Sequence, residues 1–369
     1  MRVALITADF APNVGGVAAH VVELGKALAA AGHEVYVITR PLGDMTEPQA
    51  RWQGMTVLRP NLPRPEFIYN IALRLWLKRF LAHTPVDVLH VHGLRPLLGA
   101  RGHGVPVVFT NHTSGYLRRL LKGEGEKRRL ARRLAHVAHV LAPSEELCEA
   151  TRDVGYGGPV SFIANGVDTD RFHPAESPLR ARWGVGADEV VVLLARRLVD
   201  KNGVIIFAEA VAALKGLPVR LVFAGDGPER ERVERILRDN GMAERALLLG
   251  NISNTDMPDI YNAADISVLP SFMEATSITG LESMACGLPL VGTTVGGIPV
   301  LIDDGETGRL VPPGDPAALG AALKALVEDA EARRRMGARA RDKAVARFSW
   351  TQIAGRTAEV YAQVVEGRP

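Results

Sequence analysis

Short apolar runs alternate with stretches in which apolar residues recur every three or four positions, and the alternation covers nearly the whole chain. In the first half Val3–Thr7, Glu34–Thr39, Val86–His90 and Val105–Thr110 read as strands. His20–Ala31 and Ile68–His83 read as helices, with Gly32 placed to end the first. The theme then restarts. Val190–Leu194, Arg220–Ala224, Ala246–Leu249, Ile266–Leu269, Pro289–Gly292 and Arg309–Val311 read as strands. Gly203–Lys215, Glu229–Asn240, Met257–Ala263, Ile278–Cys286 and Pro316–Glu328 read as helices, followed by a charged helix at Asp329–Arg347 and a final one from about Trp350 to Val365. Strand–helix alternation predicts parallel sheets with helices on both faces, an α/β chain of two doubly wound, Rossmann-like domains. Domains of this kind facing across a cleft present ligands at the carboxyl ends of their strands, so polar residues at strand ends carry the functional reading.

Composition sharpens this only in places. At 369 residues the chain exceeds a typical single core, which supports two domains. Aromatic residues are 5% against 47% hydrophobic overall, so the cores must be aliphatic. The net charge of +3 implies no polyanion, but it is uneven: residues 1–166 carry 20 Lys/Arg and 13 Asp/Glu, the remainder 24 and 28. Cys148 and Cys286 form no disulfide framework and have no metal-ligand spacing, which fits a reducing cytosol. No apolar run approaches the roughly 18 residues that span a bilayer. Arg2–Thr7 is too short for a secretory leader and reads as a buried first strand. The expectation is a cytoplasmic protein.

The most informative segment is Pro270–Glu282, continuing through Ser283-Met284-Ala285-Cys286-Gly287-Leu288-Pro289. Glu274 and Glu282 are separated by seven residues. A strand precedes the first and a helix carries the second. The Thr276-Ser277-Ile278-Thr279 turn starts that helix, so free backbone N–H groups and the positive dipole end face whatever lies above the strand. That suits a diphosphate, with Glu282 two turns on to accept hydrogen bonds from a sugar diol. Such glutamate pairs also occur on ordinary solvated helices. This one, however, resembles the Glu–seven residues–Glu signature of the retaining glycosyltransferases of family 4, which have the GT-B fold.

The resemblance extends along most of the chain. Asn13-Val14-Gly15-Gly16-Val17 and Ala31-Gly32-His33-Glu34-Val35 resemble the family's N-terminus, whose first loop approaches donor phosphates and acceptor, so Gly15 and Gly16 are donor-site candidates. The glycines do not form the dinucleotide pattern Gly-x-Gly-x-x-Gly, and a nicotinamide cofactor is disfavoured. His112, in Thr110-Asn111-His112-Thr113-Ser114-Gly115, falls where the family places a histidine near the transferred sugar. Ala195-Arg196-Arg197-Leu198-Val199-Asp200-Lys201-Asn202-Gly203 departs from the family's Gly-Arg-Leu, three residues, Lys-Gly. Arg196 replaces the glycine, and Lys201 comes one position early, with Asn202 at the usual lysine place. Alignment on Leu198 makes Arg197 the phosphate ligand, with Arg196 as an alternative. Gly225, in Gly225-Asp226-Gly227-Pro228, lines the nucleotide side in the family. Asn251 and Ile252 occupy the place of main-chain contacts to the base. Relatives read Gly-Phe-Gly after the first carboxylate; this chain has Ala275-Thr276-Ser277, and Val300 stands for the usual glutamate after Pro299. Backbone donors at Ser277, Ile278 and Thr279 should survive.

What the resemblance implies is a retaining GT-B enzyme that moves a hexose from a nucleotide diphosphate sugar, UDP- or GDP-linked, to a lipid-linked, glycan or small-molecule acceptor. The domains would be 1–166 for the acceptor, 167–347 for the nucleotide sugar, and 348–369 a helix crossing back to the first. Arg197 and Lys201 would stabilise the leaving diphosphate, Glu274 would hold donor-sugar hydroxyls, and Glu282 the ribose. No metal cluster is visible in the sequence, and no cofactor beyond the co-substrate is expected. Acceptor contacts are expected from residues 13–17, 41–66 and 95–125, where the resemblance is weakest. Residues 116–139 hold eight basic residues against two acidic, with an apolar side at Leu117, Leu120, Leu121, Leu130, Leu134 and Val137, a pattern for an anionic membrane surface or an ordinary surface helix. Nucleic acid is not expected, since only Tyr116 interleaves these charges. The alternatives are a nucleotide-sugar 2-epimerase of the same fold, which should show additional N-domain carboxylates, and a catalytically silent nucleotide-sugar-binding partner.

Overall fold

The structure, a computed structural model, describes residues 1–11, 15–41, 43, 45–112, 116, 119–367. Asn13, Val14, Thr113, Ser114, Gly115 and Leu117 of the segments read above lie outside the described residues. The chain divides into two units, Met1–Gly166 with Trp350–Pro369, and Val167–Ser349.

In the first unit the described residues form an eight-stranded sheet from β1 (Arg2–Thr7), β2 (Glu34–Ile38), β3 (Gln49–Trp52), β4 (Met55–Leu58), β5 (Val88–His92), β6 (Val107–Thr110), β7 (His139–Ala142) and β8 (Val160–Phe162). The order is β3-β4-β2-β1-β5-β6-β7-β8, parallel except for the β3–β4 pair. The chain winds outward from β1 in one direction, returns, and winds outward from β5 in the other. The β1/β5 junction is therefore the switch point at which ligands bind in open α/β sheets.

One face of this sheet buries Val3, Leu5, Val21, Leu24 and Leu28 together with Ile353, Ala354, Val360 and Tyr361 of helix Trp350–Glu366. The other face buries residues such as Ile6, Leu73, Leu89, Leu130 and Leu134. Each fully buried aliphatic side chain contributes roughly 1.5–3 kcal/mol.

Several elements differ from the sequence expectation. The first helix begins at Gly16 rather than His20, which places His20 inside its second turn. The strands expected to end at His90 and begin at Val105 instead run Val88–His92 and Val107–Thr110. Within the basic stretch 116–139, Glu124–Leu134 is an α-helix, and the apolar side of the stretch goes to the core: Tyr116, Leu130, Leu134 and Val137 are buried. Leu121 is the exposed exception, and no described helix is long and apolar enough to cross a membrane.

The second unit is a six-stranded parallel sheet of β9 (Val190–Ala195), β10 (Val219–Ala224), β11 (Ala246–Gly250), β12 (Ile266–Leu269), β13 (Leu290–Thr293) and β14 (Gly308–Val311), in the order β11-β10-β9-β12-β13-β14. Its switch point lies between β9 and β12. Every residue of β9 is buried, as a central parallel strand requires. The helix expected over Gly203–Lys215 is α-helical over Val204–Ala210 and tightens to 3₁₀ over Val211–Leu214. The charged helix ends as α-helix at Lys343 and widens to a π turn over Ala344–Phe348.

Candidate functional site

The second unit gathers its polar residues at the β9/β12 switch point. Arg196 follows β9, and Ser271 and Glu274 follow β12. The Arg196 guanidinium donates through Nη1 to Ser271 Oγ and through Nη2 to Glu274 Oε2. The ion pair is nearly enclosed, the two side chains being 11% and 14% exposed. Arg197 and Lys201 are exposed. Asn202 is buried and closes the loop by donating to the Arg197 carbonyl at 2.8 Å. The residue at the family's usual lysine place thus shapes the loop, and Arg196, the alternative in the alignment, is the residue bound to the first signature carboxylate.

Backbone geometry fixes these loops. Gly203 has φ +68°, and a Cβ there would collide with the Pro270 carbonyl. Gly296 has φ +52° with the Glu274 carbonyl in the same relation, and the Gly297 N–H donates to that carbonyl at 3.0 Å. Thr293 Oγ1 donates to Ser271 O at 2.7 Å. The segment 271–275 is thereby held from both sides even though its own sequence lacks the family's glycines.

Ser277 caps helix Ile278–Ala285, its Oγ accepting from Gly280 N at 3.2 Å. The N–H groups of Ile278 and Thr279, the first two of the helix, have no intrahelical acceptor. Glu282, 9% exposed, accepts from Tyr261 OH at 2.7 Å. Burial pushes its carboxyl up to about 7, against the pull of the tyrosine hydrogen bond and of Arg171. Gly225 lies against the Arg196 carbonyl and bridges to Gly250; Asn251 is exposed and Ile252 half-buried just beyond.

The first unit assembles a different set at its own switch point. Gly15 caps helix Gly16–Ala30 in an extended conformation, and a Cβ on it would meet Asp9 Oδ2 at 3.3 Å, while a Cβ on Gly16 would meet nothing. His112, two residues past β6, is hydrogen-bonded through Nε2 to Nδ1 of His92 at 2.9 Å. His20 stands 4.5 Å from the His112 ring, centroid to centroid, and its Nδ1 is 3.2 Å from Asn165 Oδ1. His90, beside His92, is bonded to Tyr361 OH and Thr110 Oγ1, both at 2.6 Å. Burial holds His20 down to about 4 and His90, His92 and His112 well below the ordinary histidine range, so all four are neutral at pH 7.

A third cluster lies beyond β2 and β5. The Arg95 guanidinium sits over the Tyr69 ring at 5.4 Å, and Arg40 also acts electrostatically on that phenol. Among the described residues, Tyr69 OH, Arg40 Nε and Arg95 Nε are buried without a hydrogen-bond partner. Sequence reading missed Arg40, Tyr69, Arg95, His20, His92, Asn165, Ser271 and Tyr261. Arg40, His92, Arg95 and Ser271 lie at or near strand ends, whereas His20, Tyr69 and Tyr261 lie within helices.

Residues 14–171 match the family Glycosyltransferase Family 4, and residues 176–343 match Glycosyl transferases group 1. The D-inositol 3-phosphate glycosyltransferase of Xylanimonas cellulosilytica is 31% identical over 412 aligned positions, covering 100% of this chain and 98% of that one. Among solved structures, sucrose-phosphate synthase from Thermosynechococcus elongatus superposes with a TM-score of 0.80 at 25% identity, over 99% of both chains. Anabaena Alr3699/HepE in complex with UDP superposes with a TM-score of 0.79 at 20% identity, over 98% of this chain and all of that one. The chain belongs to glycosyltransferase family 4. It has the GT-B fold and is a glycosyltransferase.

Proposed function

We propose that the protein is a retaining transferase that moves a hexose from a nucleotide diphosphate sugar to a small phosphorylated polyol. The observation that carries the donor half is the β9/β12 switch point: helix N–H groups at Ile278 and Thr279 without an intrahelical acceptor, the exposed cations Arg197 and Lys201 on the loop after β9, and Glu282 one turn into the same helix. Helix dipole and cations stabilise charge that develops on the departing diphosphate. Glu282 accepts from the ribose, and Glu274 orients donor-sugar hydroxyls. Within the second unit, Gly225, Asn251 and Ile252 frame the nucleotide through their main chain.

Two things support the acceptor half. The relatives at about 30% identity are named for inositol 3-phosphate, and Arg40, Tyr69 and Arg95 offer buried donors that an anionic group would satisfy. Calorimetry with UDP-, GDP- and ADP-sugars selects the donor, and NMR of the product anomer reads retention. Transfer to a phosphorylated polyol, with the unphosphorylated polyol inert and Arg95→Ala raising acceptor KM about tenfold or more, supports the reading. Equal use of both polyols overturns the acceptor assignment. For the outward basic face, Arg128, Arg129 and Arg132 are exposed and suit anionic lipid, tested by sedimentation with phosphatidylglycerol vesicles against neutral ones.

A further inference from the structure

The neighbouring histidines His90 and His92 differ in how their rings are satisfied. Both His90 nitrogens are hydrogen-bonded at 2.6 Å, as expected of a structural buried histidine. His92 is equally buried, yet its Nε2 has no partner among the described residues. Its Nδ1 is shared with His112 Nε2 across 2.9 Å, and one ring nitrogen from each of His20, His92 and His112 lies within 4.8 Å of the other two. Ligand nitrogens on a tetrahedral zinc ion, at about 2.0–2.1 Å from the metal, are about 3.3 Å apart. The His92–His112 pair is already near that separation, and one cation in place of the proton they share would open it by only a few tenths of an ångström.

We propose that His20, His92 and His112 form a binding site for a divalent transition-metal cation of the zinc class. Each imidazole has one ring nitrogen able to present a lone pair to a cation, as ligation requires. Asn165 Oδ1 can only accept, so His20 Nδ1 carries the proton and Nε2 presents its lone pair, the outer-sphere arrangement that orients metal-bound histidines. An all-imidazole set with no carboxylate or thiol among the described residues selects zinc, cobalt or nickel over magnesium or calcium. Three protein ligands leave the fourth position for water or a substrate oxygen. The ligands come from helix Gly16–Ala30, the end of β5 and the segment after β6, so no sequence spacing announces them. The proposal stands independently of which sugar the enzyme transfers.

The test uses the full chain, stripped with a chelator and titrated with Co²⁺ while the visible d–d absorption is recorded. One equivalent giving the intense spectrum of a four-coordinate site, displaced by Zn²⁺ and not by Mg²⁺, is the expected result. His92→Ala and His112→Ala should abolish the spectrum, Asn165→Ala should weaken Co²⁺ binding about tenfold, and the exposed His83→Ala should leave it intact. Circular dichroism establishes that each variant is folded, and His20→Asn provides a polar replacement should the alanine variants unfold. A weak six-coordinate spectrum, or a four-coordinate one that survives in a folded His92→Ala or His20→Asn variant, overturns the proposal.

Discussion

The two units solve the same topological problem with opposite chemistry. Both place their candidate residues at the switch point of a doubly wound sheet. In the second unit those residues are charged and bound to each other, Arg196 to Glu274, with Arg197 and Lys201 exposed beside them. In the first they are imidazoles kept neutral by burial, with Asn165, Thr110 and Tyr361 as partners. A site built of paired charges tolerates a change of pH near neutrality but suffers when one partner is removed. A site built of neutral histidines suffers when protons arrive.

The largest effect expected from breaking this contrast is in the charged site. Glu274→Ala should lower kcat at least about a hundredfold while nucleotide affinity, read by calorimetry, stays within a few-fold. It should also destabilise the second unit by about 2–3 kcal/mol, because the nearly enclosed Arg196 loses its counter-charge. Adding Arg196→Gly should restore most of that stability and none of the activity. Failure of the double variant to recover stability would mean that the pair does not act as a unit.

Acid addresses the histidine site. His20 is depressed from 6.5 to about 4, so its contribution to stability is present above pH 6.5 and is lost as pH falls toward 4. The loss from this residue alone is about 2 kcal/mol by pH 5, and His90, His92 and His112 act in the same direction. Hydrogen exchange at pH 5 and pH 7.5 should show the first unit opening more readily while the second changes little.

Glu282 gives a smaller effect with the opposite sign. Its carboxyl is raised to about 7, so the protonated form is favoured by the fold and the associated stability fades as pH rises through 7. Nucleotide affinity should therefore titrate near pH 7 if the ribose binds the ionised form. Tyr261→Phe removes the hydrogen bond that favours ionisation, and should move that midpoint upward and weaken binding at pH 7 by about tenfold. An unchanged midpoint in Tyr261→Phe would separate Glu282 from nucleotide binding. The smallest effect is Ser277→Ala, about 1 kcal/mol from the lost cap, read as a shift in the thermal midpoint.

What could be read from the sequence followed from continuity of pattern. The central strand of the second unit, β9, is an unbroken apolar run, and the bounds of helix Pro316–Glu328 are legible because Asp315 caps it with Pro316 in its first turn. The β3–β4 hairpin escaped because Gln49-Ala50-Arg51-Trp52 is an edge strand of alternating exposure, joined by a tight turn with positive φ at Gln53 and Gly54. Ser144 caps helix Glu145–Asp153 by accepting from Leu147 N, a local start signal for a helix with few apolar positions. In the site, local motifs located the loops and not the pairings. Alignment on Leu198 pointed to Arg197, yet the residue that grips Glu274 is Arg196, across a separation no local pattern encodes. The histidine cluster is the extreme case, assembled by sheet order and by the packing of helix Gly16–Ala30 on the sheet.

The division of the chain has a consequence for the order of folding. The second unit is contiguous, and Val167 pairs with Ser349 where it begins and ends. The first unit is interrupted: after Gly166 its core lacks Ile353, Ala354, Val360 and Tyr361, which leaves one face of the sheet bare and His90 without the tyrosine hydroxyl. At about 5–20 residues per second, synthesis keeps that face open for on the order of ten seconds or more while the later unit emerges and can complete itself. The unit translated first is therefore the one that finishes last, and its unsealed apolar face is the surface a nascent-chain chaperone would shield.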